Sequence, residues 1–433
     1  MMDIVGNQPE KAILIGLTVP RADERTKSKA GPGEYEWAEF AELVKTAGAQ
    51  EAGRLTQVRA TPDPALFLGT GKVEALAELV RATDADLVIS IQELSPVQVR
   101  NLEDKVRARV IDRTDLILDI FAQRAQSREG QLQVELAQLN YALPRLGGAG
   151  LALSRQGGGI GTRGPGETKL EANRRAVRHR IADLRAELAE VQQNRSVQRH
   201  LREKNGIPTV AMVGYTNAGK STLFNRLTAA GTSARDRLFD TLDPLSRQLT
   251  LDRQRIAILL DTVGFISNLP HQLVAAFKAT LEETVKADLI LQVMDAGAPD
   301  LQRRYAAVQA VLNELQVGAK ETLLILNKID LLDSEYTVDR LAKEWAAVPV
   351  SAAAGTGIPE LLEAIRRKLA AGMGRYRLLV PFGEAGWLDR VHRQFRVLEE
   401  EYTAEGARLL VEAEAGPIQA YQRFMLDGDW RRC

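Results

Sequence analysis

Gly214-Tyr215-Thr216-Asn217-Ala218-Gly219-Lys220-Ser221 follows the apolar run Thr209 to Val213 and leads into the helix-forming stretch Thr222 to Leu227. The spacing is G-x-x-x-x-G-K-S, and its setting between a strand and a helix is the one the motif requires. Glycines let backbone N–H groups converge on a phosphate at the helix N-terminus, where the dipole favours negative charge. Lys220 can then reach the β and γ oxygens of a nucleoside triphosphate, and the Ser221 hydroxyl can bind Mg²⁺. This stretch predicts a P-loop, and with it a mostly parallel sheet clothed in helices.

Outward from it, further loops each follow an apolar run. Asp261-Thr262-Val263-Gly264 comes after Ile256 to Leu260. Asp261 at a strand end can hold Mg²⁺ through water, and the Gly264 N–H can sense a γ-phosphate. Asn327-Lys328-Ile329-Asp330 comes after Thr322 to Leu326. The Asp330 carboxylate can accept from the N1–H and N2 amino group of guanine, a pairing adenine cannot offer, so GTP is the expected substrate. Ser351-Ala352 after Val348 to Val350 can present a backbone N–H to the guanine O6. Between the lysine and the second loop lies Phe239-Asp240-Thr241-Leu242-Asp243, whose Thr241 is expected to complete the Mg²⁺ shell, with Thr232 and Ser233 as runners-up. The expected nucleotide site is thus Gly214 to Thr222, Phe239 to Asp243, Asp261 to Gly264, Asn327 to Asp330 and Ser351 to Ala353. Lys220, Thr241 and Gly264 carry the catalytic roles, and Ser221, Thr241 and Asp261 the metal.

The remainder of the chain is bounded by composition. Of 433 residues, 45% are hydrophobic and 26% charged, enough for several packed domains. Basic and acidic side chains number 57 each, which gives no overall attraction to nucleic acid. By segment the balance is −4 for residues 1 to 112, +6 for 113 to 206 and −2 for 207 to 433, so the positive excess is local. A lone cysteine, Cys433, excludes a disulfide framework and a cysteine-rich metal site. No run approaches the roughly 18 apolar residues of a membrane span, and Asp3, Glu10 and Lys11 break up any leader. A cytoplasmic monomer is expected, with room for peripheral membrane association.

Residues 1 to 112 alternate apolar and amphipathic stretches: Ala12 to Val19 as strand, Tyr35 to Thr46 as helix, then Leu55 to Arg59, Lys72 to Arg81, Leu87 to Ile91, Pro96 to Val106 and Val110 to Ile111. This reads as a small α/β domain. In residues 113 to 206 the spacing becomes that of a coiled-coil seam, through Leu132, Leu136, Leu139 and Leu143, then Val177, Ile181, Leu184, Leu188 and Val191. Nine glycines among the twenty residues from Gly147 to Gly166 separate the seams, which predicts an antiparallel hairpin with a glycine-rich tip. Residues 207 to 372 carry the P-loop domain, and residues 373 to 433 read as a small α+β appendix.

The motifs and their order resemble the translation-factor-related P-loop GTPases, and the wording resembles one family, the HflX ribosome-associated GTPases. Leu68-Gly69-Thr70-Gly71-Lys72, Asp112-Arg113-Thr114, Gly161-Thr162-Arg163-Gly164-Pro165-Gly166-Glu167-Thr168 and Asp261-Thr262-Val263-Gly264-Phe265-Ile266 carry the likeness, which covers roughly residues 12 to 370. The resemblance implies GTP hydrolysis with Mg²⁺, binding to rRNA and proteins of the large ribosomal subunit, and splitting or rescue of stalled ribosomes, with no role for DNA. Arg155, Arg163, Lys169, Arg174, Arg175 and Arg178 are the candidate RNA contacts, with Arg180 on the same stretch, although a basic stripe also suits the solvated face of a coiled coil.

Two positions depart from type. Phe265 stands where many GTPases keep a water-orienting glutamine, so hydrolysis is expected to be slow until ribosome docking supplies the positioning. Asp240 stands where the family usually has a small residue, and it puts an acidic group near phosphates. A second reading makes the chain an rRNA remodeller with an ATP site at Gly69 to Lys72, against which stands a simple helix cap there. A third makes it an adaptor for membrane or protease partners.

Overall fold

The computed structural model describes residues 9–20, 29–30, 33–146, 169–204, 207–228, 245–252, 255–262, 264–265, 285–317, 320–370, 373–414 and 418–426. The described residues fall into two compact units, one through Glu190 and one from Val191 onward.

The first unit is built on strands β1 (Lys11–Pro20), β3 (Gln50–Val58), β4 (Leu87–Ser90) and β5 (Arg109–Asp112), parallel and in the order β3-β1-β4-β5. Short β2 (Lys29–Ala30) pairs antiparallel with the end of β1 and has no sequence signal of its own. Ile13, Leu14 and Ile15 are all fully buried, so β1 is covered on both faces, as parallel strands require. Helices α1 (Glu34–Thr46), α2 (Thr70–Thr83) and α3 (Pro96–Val106) cover the sheet. The start of α3 is fixed by a reciprocal cap between Ser95 and Gln98, with Pro96 in the first turn.

Helix α4 (Arg113–Arg124) follows β5 directly and is apolar almost all round, with Leu116, Ile117, Leu118, Ile120 and Phe121 buried. It packs against α1, β4 and β5 as well as the next helix, and lies in the body of the sheet domain. Its cap is the carboxylate of Asp112, fully buried yet fully bonded. One oxygen accepts from the Thr114 and Asp115 amides and the Tyr141 hydroxyl, the other from the Leu94 amide and Arg145. Tyr141 and Arg145 belong to α5 (Arg128–Arg145), so one buried side chain ties the root of the hairpin to the end of the sheet.

The hairpin is α5 with α6 (Lys169–Lys204). Leu132, Leu136 and Leu139 pack against Leu184 and Leu188, which are the middle positions of the seam read from the sequence. Arg180 forms a two-pronged ion pair with Glu135 at 2.7 and 2.8 Å, and Glu187 pairs with Arg128. Arg180 therefore faces the partner helix and leaves the candidate RNA stripe, while Arg178 is exposed. Arg155, Arg163 and the glycine-rich tip lie outside the described residues, as does the side chain of Lys169.

The second unit holds the P-loop sheet, in the order β11-β10-β9-β6-β8-β7. Strands β6 (Thr209–Gly214), β8 (Ile256–Asp261), β9 (Leu289–Asp295), β10 (Thr322–Asn327) and β11 (Val348–Pro349) are parallel, as the apolar runs predict. Edge strand β7 (Leu245–Thr250) is antiparallel to β8, which makes the sheet mixed. It escapes a search for apolar runs because only Leu249 along it is buried, the pattern of an edge strand with a wet face. Chain order reverses around β6, so ligand-binding loops collect at its carboxyl end. Helices α7 (Lys220–Thr228), α8 (Leu301–Glu314), α9 (Glu335–Trp345) and α10 (Ile358–Ala370) accompany the sheet. Leu223, Leu291, Ile325, Val350 and Ile365 sit in its core.

The same unit ends in a three-stranded antiparallel sheet, β12 (Met373–Val380), β13 (Arg396–Thr403) and β14 (Gly406–Glu414), with β14 central and helix α11 (Ala385–Gln394) against it. Its own core includes Leu378, Val391, Leu409 and Tyr421, as expected for the α+β appendix. Arg255 joins it to the P-loop domain through Glu412 at 2.9 Å.

Candidate functional site

The P-loop closes around its own lysine. Lys220 opens α7, and its ammonium donates to the carbonyls of Gly214 at 3.1 Å and Tyr215 at 2.9 Å. Burial pulls its pKa down from the ordinary lysine value to about 8, and the nearby Asp261 carboxylate resists that shift. The loop can take this curvature because Gly219 has φ +85°, and a β-carbon there would stand 2.2 Å from Asn327 Nδ2.

Asp261 ends β8 and is fully buried. The Ser221 hydroxyl donates to its Oδ2 at 3.2 Å, so the two expected metal residues stand together. A hydroxyl and a carboxylate beside a phosphate cradle are hard oxygen donors of the kind Mg²⁺ takes, one directly and one through water. Among the described residues no cluster of three His, Cys, Asp or Glu side chains competes for a metal. Thr262 donates its hydroxyl to Met212 O at 2.6 Å and anchors the turn. Gly264 is then pressed onto the P-loop: a β-carbon there would lie 2.8 Å from Thr216 Cγ2 and 3.0 Å from Lys220 Nζ. Two backbone bonds hold it, Thr216 N–H to Phe265 O at 2.6 Å and Phe265 N–H to Gly214 O at 3.1 Å. The Phe265 side chain is buried.

The base loops are assembled by Asn327. Its Nδ2 donates to Ala218 O at 2.8 Å and its Oδ1 accepts from the Ala352 amide at 3.0 Å, linking three loops through one side chain. Lys328 is in the left-handed region with φ +65°, and its ammonium meets Asp295 at 2.9 Å and Asn217 Oδ1 at 3.4 Å. Ile329 and Asp330 lie in a short 3-10 turn, with Asp330 exposed. One expected detail changes. Both amides of Ser351-Ala352 are committed, Ser351 to Thr356 O and Ala352 to Asn327, because the Asn327 side chain must satisfy its own buried acceptor. The Ala353 N–H makes no backbone bond among the described residues.

The structure brings together Gly214 to Thr222, Asp261, Thr262, Gly264, Asn327 to Asp330 and Ser351 to Ala353. Phe239, Asp240, Thr241, Leu242, Asp243 and Val263 lie outside the described residues, as do Thr232 and Ser233. Two participants carried no motif. Arg226 on α7 donates to Ala352 O at 3.1 Å and to Ala353 O, bracing the last base loop. Asp295 at the end of β9 holds Lys328. The alternation of strand and helix placed Asp295 at a carboxyl strand end, the only sequence signal it has. In the first unit, Gly69 is the N-cap of α2 and donates its N–H to Gln57 Oε1 at 2.9 Å, which is the helix-cap outcome for that glycine.

Three stretches of the chain match known protein families. Residues 34–122 match a "GTP-binding GTPase N-terminal" family, residues 124–202 a "GTP-binding GTPase Middle Region" and residues 209–328 a "50S ribosome-binding GTPase" domain. A GTPase HflX of Caldanaerobacter subterraneus subsp. tengcongensis is 44% identical over 98% of this chain and 96% of its own. That of Escherichia coli is 46% identical over 91% and 90%, and that of Lacrimispora saccharolytica 45% over 85% and 87%. No helix among the described residues is long and apolar enough to cross a membrane.

Proposed function

The chain belongs to the HflX family of GTPases, a family of GTP-hydrolysing enzymes, and from that premise we propose that it is a switch whose GTP-bound form docks on the large ribosomal subunit. One observation carries the reading most directly: Lys220, Ser221 with Asp261, and Asn327 bring the phosphate, metal and base loops to the end of one sheet. In the GTP-loaded protein Lys220 turns from its own loop carbonyls to the β and γ oxygens, where it stabilises charge on the transferring phosphoryl group. Ser221 and Asp261 would hold Mg²⁺, which supplies charge neutralisation between the β- and γ-phosphates. Asp330 and the Ala353 amide select guanine. Thr241 is the proposed third contributor to the metal shell.

Support for the ribosomal partner comes from the matched 50S ribosome-binding domain and from the basic excess of residues 113 to 206. Arg174, Arg175 and Arg178 are the proposed rRNA contacts on α6, with Arg155, Arg163 and Lys169 toward the tip. Hydrolysis then releases the protein, and splitting or rescue of stalled ribosomes is the proposed outcome. Co-sedimentation with separated subunits under GTP, GDP and a non-hydrolysable analogue, at two salt concentrations, tests this. The large subunit should retain the protein with the analogue and release it with GDP, and retention should weaken with salt. Equal retention with all three nucleotides would refute a switch.

A further inference from the structure

Water must be aimed at the γ-phosphorus, and Phe265 cannot do it: its side chain has no polar atom and is buried. The described hydroxyls around Gly264 narrow the alternatives. Thr262 is committed to Met212 O, and Ser221 is bonded to Asp261. Thr216 differs. Its residue is 2% exposed and its Oγ1 has no hydrogen-bond partner among the described residues. The Thr216 side chain packs against Gly264 through its methyl: a β-carbon at Gly264 would stand 2.8 Å from Thr216 Cγ2 and 3.0 Å from Lys220 Nζ. Buried hydroxyls are nearly always bonded, and an orphan at a reaction centre calls for an explanation.

We infer that Thr216 Oγ1 is a catalytic group for GTP hydrolysis, the side-chain contact that orients the attacking water when the γ-phosphate enters between Lys220 and Gly264. This rests on the reading of the P-loop as the GTP site. A hydroxyl suits the task because it has one donor and two acceptor positions. Oγ1 accepts a hydrogen bond from the water and donates its own proton's bond to a γ-phosphoryl oxygen, fixing the two reacting groups relative to each other. The water oxygen forms the new bond to γ-phosphorus. The bond from γ-phosphorus to the bridging oxygen breaks and its electron pair leaves with GDP. One water proton remains on the inorganic phosphate and the other passes to solvent, while Thr216 keeps its own. The same entry lifts Gly264 off Thr216, so the hydroxyl gains partners only when a γ-phosphate is present.

Thr216→Val removes the hydroxyl at nearly constant shape, and Thr216→Ser keeps it. The full-length variants are compared by GDP affinity, by affinity for GDP with aluminium fluoride as a mimic of the transferring group, and by single-turnover hydrolysis with and without large subunits. Thr216→Val should bind GDP within about twofold of wild type, lose about 10- to 100-fold in hydrolysis, and lose the extra affinity that aluminium fluoride confers. Thr216→Ser should recover hydrolysis to within about threefold. Its thermal midpoint also discriminates, since removing an unpartnered hydroxyl should leave Thr216→Val at least as stable as wild type. Wild-type hydrolysis by Thr216→Val would overturn the inference, as would a loss of GDP affinity equal to the loss of rate, which would mark a structural role. Failure of the wild-type chain itself to bind GTP would overturn the P-loop reading beneath it.

Discussion

At the residue scale, the proposed site divides nucleotide choice and phosphate chemistry between different side chains. Asp330 is exposed at the rim, so its replacement disturbs no core and its effect can be read as recognition. Asp330→Asn leaves one acceptor where the guanine N1–H and amino group need two. Hydrogen bonds to charged groups contribute about 1.5–3 kcal/mol each, so GTP affinity should fall roughly 10- to 100-fold with hydrolysis of bound GTP little changed. Equilibrium titration of wild type and variant with a fluorescent GTP analogue checks this, and unchanged affinity would remove Asp330 from the base site. Residues of this kind were legible in the sequence because each sits in a contiguous word behind its own strand. Arg226 was not, because its partners Ala352 and Ala353 lie more than 120 positions away and an arginine on a short helix has no local mark. Asn327 was singled out as part of the expected base-site word, but its work of joining the P-loop to the last loop is visible only in three dimensions.

At the scale of elements, the hairpin and its root make opposite demands. The seam of α5 and α6 is an ordinary apolar contact, with Leu184 fully buried between Leu132 and its neighbours. Leu184→Ala should destabilise the hairpin by about 2–5 kcal/mol, measured as faster amide exchange along α5 and α6 with exchange in the P-loop sheet unchanged. The seam could be read from leucine spacing alone. Strand β7 could not, since its residues satisfy the sheet edge through backbone pairing with little apolar burial.

The root of the hairpin is polar instead. In α4, burial, with help from the Asp119 and Asp112 charges, pushes the Asp115 carboxyl up to about 6. A raised carboxyl means the folded state binds more protons than the unfolded chain between about pH 4 and pH 6. The Asp115 contribution to wild-type stability therefore falls as pH rises through that window and stays lowered above it. Asp115→Asn should be more stable than wild type at pH 7.5, by about 1–2 kcal/mol after allowance for partial solvent screening, and indistinguishable from it near pH 3.8. Urea unfolding at the two pH values checks the sign, and an advantage that is equal at both would show that the carboxyl is not perturbed.

On the scale of the whole molecule, a net charge of zero conceals a positive segment between two negative ones. The fold separates these by kind of structure. Acidic excess lies with the α/β domains and basic excess with the helical hairpin that no sheet contains. The matched families divide the chain about ten residues later, the first running over 34–122 and taking most of α4 with it, the middle region over 124–202 and the GTPase domain from residue 209. The change from period-two and continuous apolar runs to heptad spacing made this plan legible. Where the sequence stopped short was at helix α4, whose apolar residues surround it on all sides and so give no face to read, because it is packed by α1, the sheet and α5 together.

The central proposal is that this chain assembles a GTPase centre whose turnover the large ribosomal subunit accelerates. The most direct test is the rate of GTP turnover by the purified protein, measured alone and with increasing amounts of purified large ribosomal subunits at constant salt. Slow turnover alone, with saturable acceleration by large subunits that Lys220→Ala abolishes, is the predicted result. Turnover that is equally fast with and without the subunits, or that survives Lys220→Ala, would contradict it.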